Sequence, residues 1–214
     1  MLRTRFLLLA SILLIATAWL YSSGPRVQLS SEARDPKPED ISVVNIGNLG
    51  KARNKAVAAR EFVKQKDYND KICFLLDMSL PSGQARFFVF DLKKDSLVNA
   101  GLVTHGRCYQ DWLEGRKYSN TIGSGCTSLG KYKIGHSYHG RFGIAYKLYG
   151  LDKTNNNAFK RYVVLHAHEC VPETVVADEI CQSDGCPTVS PGFLRYLRQL
   201  IDASKKPILL WVYD

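Results

Sequence analysis

Two stretches of the chain concentrate side chains able to do chemistry. One is Tyr162-Val163-Val164-Leu165-His166-Ala167-His168-Glu169-Cys170; the other is Cys181-Gln182-Ser183-Asp184-Gly185-Cys186-Pro187. An apolar run ending in His, followed further along by Ser-x-Gly-Cys ahead of a helix, suggests a Cys–His nucleophile pair. A thiol attacks as its thiolate, so a base must take the proton. An imidazole can do that and then return the proton to a leaving amine. Gly185 would let the backbone turn tightly, and amides around that turn could stabilise an oxyanion. Plainer readings exist for both residues. Cys186 could be half of a disulfide with Cys181 or Cys170, and His166 could be a half-buried, hydrogen-bonded histidine.

A metal reading competes. His166, His168 and Cys170 alternate, so on an extended strand all three would face one side, and His and Cys are good zinc ligands. His136 and His139 add two more candidates. Against this, an i, i+2, i+4 row on a strand spreads over about 13 Å, too far for one metal unless the strand bends.

The elements that must position these residues follow from composition and pattern. The chain has 214 residues, a net charge of +9, 45% hydrophobic residues and six cysteines. That apolar content excludes a disordered chain, and the length suits one domain with a real core. A polytopic membrane protein is excluded because only one apolar run approaches spanning length. Arg3 and Arg5 precede an uncharged stretch from Phe6 to Tyr21, the plan of a secretory signal, with a small-x-small cleavage site at Ala16-Thr17-Ala18. The same stretch as a helix spans about 24 Å, short for an uncleaved anchor but not impossible. Residues 1–22 are therefore expected to be a signal peptide or signal anchor, with a single N-terminal membrane anchor as one outcome. Either way the rest is exported, to the periplasm or cell envelope, where disulfides persist. The basic residues are scattered and no Lys/Arg tract interleaves with aromatics, so no nucleic-acid partner is expected.

Residues 23–47, with Gly24-Pro25 and Asp35-Pro36-Lys37-Pro38, read as a polar linker. Residues 48–70 hold one N-terminal helix, expected over Lys51 to Lys66, whose Ala52, Ala56, Ala59 and Val63 make an apolar stripe. From Lys71 the period changes. Ile72 to Leu76, Phe87 to Phe90, Leu97 to Thr104, Lys131 to Ile134, Tyr146 to Tyr149 and Tyr162 to Leu165 read as short strands between turns. Ser190-Pro191 starts a helix with an apolar face, and Pro207 to Tyr213 closes the chain as a buried strand. The domain over 71–214 is thus mainly β with a few short helices.

The chemistry-bearing stretches and the segments between them resemble the murein L,D-transpeptidase catalytic domain of the YkuD type. The branch most similar has a Ser-x-Gly-Cys-Pro nucleophile motif. Arg86 to Leu92, Thr104-His105-Gly106-Arg107, Thr127 to Tyr132, Tyr138 to Gly143, Arg161 to His166 and Ser183 to Pro187 carry the resemblance in order. It implies a β-sandwich-like catalytic domain. It also implies cleavage, in a peptidoglycan stem peptide, between the L-centre of a diamino acid and a terminal D-alanine. Cys186 would form a thioester, His166 would act as base and then acid, and Ser183 and Gly185 would shape the nucleophile turn. An amine would resolve the thioester in L,D-transpeptidation, and water in L,D-carboxypeptidation. No cofactor or metal is implied. Many relatives have His between the Ser and Gly of the motif and Arg two residues after the Cys; here Asp184 and Thr188 stand there. If Cys186 stays free, Cys170 with Cys181 and Cys108 with Cys126 are the expected disulfides, leaving Cys73 buried and free. The rival functions are a zinc-dependent amidase or peptidase using His166, His168 and Cys170, and an inactive cell-wall-binding domain.

Overall fold

The computed structural model describes residues 46–214. The expected signal or anchor at 1–22, and the expected linker up to residue 45, lie outside the described residues. Among the described residues, no helix is long and apolar enough to cross a membrane.

Helix α1 (Ile46–Lys64) starts before the Lys51 that periodicity suggests, inside the stretch read as linker, and ends before Lys66. The reason lies in its buried face. Among its residues of described burial, Ala52, Ala56, Ala59 and Val63 are the buried core residues, and Leu49, one turn earlier, is only half-buried, so the fully buried stripe begins at Ala52. At the other end Gln65 N donates to Phe62 O and Lys66 N to Val63 O, both at 3.3 Å. That i to i−3 pattern tightens the last turn and ends α geometry.

The strands are β1 (Ile72–Asp77), β2 (Phe87–Asp91), β3 (Ser96–Gly101), β4 (Gly130–Gly140), β5 (Gly143–Gly150), β6 (Val164–Ala167), β7 (Thr188–Val189) and β8 (Leu209–Tyr213), with helix α2 (Pro191–Asp202) before the last. Hydrogen bonding is continuous across all eight, in the order β3-β2-β1-β8-β4-β5-β6-β7. The β1–β8 and β6–β7 pairs are parallel, and the others antiparallel.

Apart from Asp77 and Asp91, which end β1 and β2, the residues of β1, β2 and β8 are apolar because both faces of these strands are covered. Phe74 and Leu76 of β1, Phe87 and Val89 of β2, and Leu210 and Val212 of β8 pack on one side, with Phe193, Leu194 and Leu197 of α2. Cys73 and Leu75, Phe88 and Phe90, and Leu209 and Tyr213 pack on the other, under the alanine stripe of α1. The period-2 alternation of strand side chains sorts one sequence run into two cores.

Several strand bounds differ from the sequence reading: β4 runs on to Gly140, β5 begins at Gly143 and β8 at Leu209, and three further differences serve the site. β3 ends at Gly101, so Leu102 to Thr104 leave the sheet, and Thr104 N instead donates to Thr188 O at 2.9 Å. Tyr162 has φ 56°, a turn conformation, so β6 begins at Val164 and extends to include His166 and Ala167. The two-residue β7 is too short for any periodicity to reveal. Beyond it, Ser190 caps α2 by accepting from Phe193 N, and Pro191 occupies the first turn. Glu173 adds a carboxylate at this N-terminus, accepting from Gly192 N at 2.7 Å and Ser190 Oγ at 2.6 Å, where negative charge complements the helix dipole.

Leu197 is fully buried where α2 meets the sheet, whereas Val57 on α1 is 47% exposed. Leu197→Ala is expected to cost about 2–5 kcal/mol of unfolding free energy, and Val57→Ala less than about 0.5 kcal/mol, read from urea denaturation midpoints.

Candidate active site

His166 sits on β6 between two neighbours, opposite Ala145 of β5 and Thr188 of β7. It is only 7% exposed. Its Nδ1 lies 3.0 Å from Ala167 O. A carbonyl can only accept, so Nδ1 carries the proton. That leaves Nε2 as the acceptor, and Thr188 Oγ1 donates to it at 3.0 Å. Phe142, from the β4–β5 turn, stacks on the ring with centroids 5.0 Å apart and an interplanar angle of 16°. Burial lowers the imidazole pKa from its ordinary value, and His168 lowers it further against the opposing Ala167 carbonyl. The ring is therefore a neutral base at neutral pH.

The turn that carries Cys186 is built around Gly185, whose φ is 104°. A Cβ there would stand 2.6 Å from Cys126 O, so conformation and space both demand glycine. Ser183 ties the turn from within. Its Oγ donates to Cys186 O at 2.7 Å and accepts from Gly185 N at 3.2 Å. The Gly185 amide is thus engaged and is not one of the free amides expected around the turn. Ser183 also anchors the turn from outside: its N donates to His105 O at 2.9 Å, and its carbonyl accepts from Arg107 N at 2.8 Å. Below, fully buried Arg86 donates twice to Val103 O and once to Leu80 O, and its Nη2 lies 3.2 Å from His105 Nδ1. The segment supporting Ser183 is held rigidly in this way.

Cys186 is half-buried and free. Its Sγ accepts from Val164 N at 3.5 Å and points its proton at Tyr162 O, 3.7 Å away. Burial raises the thiol pKa; the Val164 amide and the Arg161 guanidinium work against that, and Asp184 adds to it. No hydrogen bond joins Cys186 to His166. What unites them is the β6–β7 pairing and a cavity of about 460 Å³ that both line, together with Arg107, Trp112, Phe142 and Asp184.

The remaining cysteines frame this cavity or lie far from water. Cys170 is bonded to Cys181, and Cys108 to Cys126. The first pair lines the cavity; the second fixes the carbonyl on which Gly185 packs. Cys73 is fully buried on β1. Cys170 therefore offers no thiolate to a metal, and His168 Nδ1 accepts from Cys170 N at 3.1 Å. Both nitrogens of His166 are occupied as well. Among the described residues no group of three or more His, Cys, Asp or Glu side chains could hold a metal ion. His136 lines a different cavity, beside Lys205 and Lys206.

Residue-type reasoning did not single out Arg161 as part of the site. Its guanidinium donates to Ser119 O, Ser128 Oγ, Ser124 Oγ and Cys126 O, gathering the 119–128 loop beside the turn that carries Cys186. An arginine opening an apolar run reads as a surface strand end; only the loop carbonyls reveal its task. Thr188 stands out in the sequence only as a departure from the motif; its bond to His166 depends on the β6–β7 pairing.

A raised thiol pKa and a lowered imidazole pKa leave both groups neutral in the free protein. Alkylation of Cys186 by iodoacetamide should therefore rise with pH beyond the ordinary thiol range of about 8.5. It should show no plateau of reactive thiolate at pH 6–7, as measured by mass spectrometry of the modified peptide.

A family model described as L,D-transpeptidase catalytic domain matches residues 48–213. No curated protein sequence matches the chain significantly. Solved structures with a similar course include the helical cell shape determining protein Pgp2 from Campylobacter jejuni, with 11% identity, a TM-score of 0.42, and coverage of 76% of this chain and 55% of that one. An L,D-transpeptidase from Xylanimonas cellulosilytica has 14% identity and a TM-score of 0.36, over 67% of this chain and 60% of that one. One from Stackebrandtia nassauensis has 14% identity and a TM-score of 0.39, over 79% and 68%. The chain spans less than two thirds of the length of the first two. With the match of the family model running from α1 to the end of β8, the chain belongs to the L,D-transpeptidase catalytic domain family.

Proposed function

We propose that the chain catalyses cysteine-dependent acyl transfer on peptidoglycan stem peptides, through a thioester on Cys186. The observation that carries this reading is the partition of the cysteines. Of the two free thiols, one is sealed on a core strand, and the other stands on a glycine turn in a cavity shared with a neutral imidazole. Ser183 and Gly185 shape that turn, and the Cys170–Cys181 and Cys108–Cys126 bridges brace it.

The chemistry follows from the protonation states. His166 Nε2 takes the thiol proton as Cys186 Sγ attacks the carbonyl carbon of the donor peptide bond. For this the Thr188 hydroxyl must leave Nε2, and Cys186 O, 3.4 Å from Thr188 Oγ1, is an alternative acceptor for it. The C–N bond breaks, the imidazolium returns its proton to the departing amine, and a thioester remains. A second amine attacks the thioester and gives its extra proton to His166; the C–S bond breaks, and the thiol is regenerated with a new amide. Water in place of the amine yields a carboxylic acid. The first outcome is L,D-transpeptidation and the second L,D-carboxypeptidation.

Such a substrate places the enzyme outside the cytoplasm, in the periplasm or cell envelope, consistent with the basic-apolar start of the chain. Residues 1–22 then serve as signal or single membrane anchor, 23–47 as linker, 48–70 as the helical segment packed on the domain, and 71–214 as the catalytic domain.

The test is incubation with purified stem peptides, with and without an amine acceptor. Mass spectrometry of the intact protein should find the donor acyl group on Cys186, and of the supernatant either crosslinked or trimmed product. Cys186→Ala should abolish the adduct, and His166→Ala should slow its formation by about 100-fold or more. Stem-peptide binding without adduct or product would make the chain a wall-binding domain and defeat the proposal.

A further inference from the structure

Among the described residues, Arg107 is the single Lys or Arg side chain lining the cavity that holds Cys186. The other charged side chains there are the carboxylates of Asp111 and Asp184. Arg107 is committed to neither of them fully. Its Nε donates to one oxygen of Asp184, Oδ1, at 2.8 Å, and its Nη1 reaches only to Gln110 O at 3.5 Å. The pair is open to solvent, with side chains 39% and 65% exposed, so water screens it and exchange of partners costs little.

The backbone beneath is the opposite of open. Arg107 N is bonded to Ser183 O, and Gly106 pairs with Ser183 as a β-bridge. The next residue, Cys108, is in the disulfide to Cys126. The Cα of Arg107 is thus fixed to the turn that carries Cys186, while its guanidinium keeps donors that no strong partner occupies. A planar fork with spare N–H donors, mounted rigidly beside a nucleophile, matches a carboxylate in two-point geometry. The two acidic side chains repel a carboxylate from the rest of the cavity, so they also fix where it can lie.

We infer that Arg107 is the residue that binds a carboxylate of the acyl donor, displacing Asp184, which holds the guanidinium in place while the cavity is empty. The ligand chemistry is a peptide whose departing residue ends in a free carboxylate. The inference rests on the acyl-transfer reading for its choice of ligand, but binding is measurable without turnover.

The probes are a stem peptide ending in a free carboxylate and the same peptide as its C-terminal carboxamide. Calorimetric titration into the Cys186→Ala protein should show the carboxylate form binding about tenfold tighter or more, in line with a charge-assisted two-point contact. Arg107→Gln in that background should erase the difference, and Arg107→Lys should keep part of it. Asp184→Asn should strengthen carboxylate binding and leave the carboxamide unchanged, an effect that general damage to the turn would not produce. Equal affinity of the two peptides, or an Arg107→Gln loss shared equally by both, would overturn the assignment. A carboxylate preference that depends on Arg107, in a wild-type protein that forms no thioester, would support the assignment and sink the acyl-transfer reading instead.

Discussion

The parallel pairing of β6 with β7 is the constraint on which the site depends. It places His166 opposite Thr188 and Ala167 opposite Val189. Cys186 lies just before β7, so this register helps set how far its thiol is from the His166 imidazole. Because side chains alternate along a strand, a one-residue slip would turn His166 to the opposite face of the sheet. So short a pairing cannot hold itself. It is held by Thr104, which leaves β3 and donates to Thr188 O, and by α2, whose capped first turn follows directly and whose apolar face packs into the core.

The turn ahead of β7 depends on a second element, the 105–127 loop, for its floor. Gly106, Cys126 and Arg107 all meet the nucleophile turn through backbone groups, and Arg161 gathers the loop carbonyls from the other side. Backbone hydrogen bonds and one close glycine contact specify this geometry more tightly than side-chain packing would. Cys186 and His166 therefore rest on rigid chain, while the Thr188 hydroxyl beside them has two acceptors to choose between, His166 Nε2 and Cys186 O.

Much of this is legible in residue types. The apolar runs of β1, β2 and β8 announce strands, Ser190-Pro191 announces a helix start, and Ser183 to Cys186 announces a strained turn with a thiol. What could not be read were relations between distant backbones. β7 has two residues, too few for periodicity, and it exists only because β6 and Thr104 bind it. Tyr162 looks like a strand residue but adopts a left-handed turn, moving the strand forward to include His166. The role of Arg161 depends on carbonyls far away in sequence, and the pairing of Arg107 with Asp184 on the bridge that sets Gly106 beside Ser183. Local propensity carries none of these.

The depressed acidity of the Cys186 thiol has a consequence for how long the protein lasts. Two disulfides imply surroundings in which thiols are oxidised. Thiol–disulfide exchange and oxidation to sulfenic acid both proceed from the thiolate. A thiol that burial keeps protonated, with its hydrogen turned to the Tyr162 carbonyl, is a slow partner for both. The arrangement that keeps the Cys186 thiol protonated in the empty protein also keeps it intact, and separate from the adjacent Cys170–Cys181 bridge.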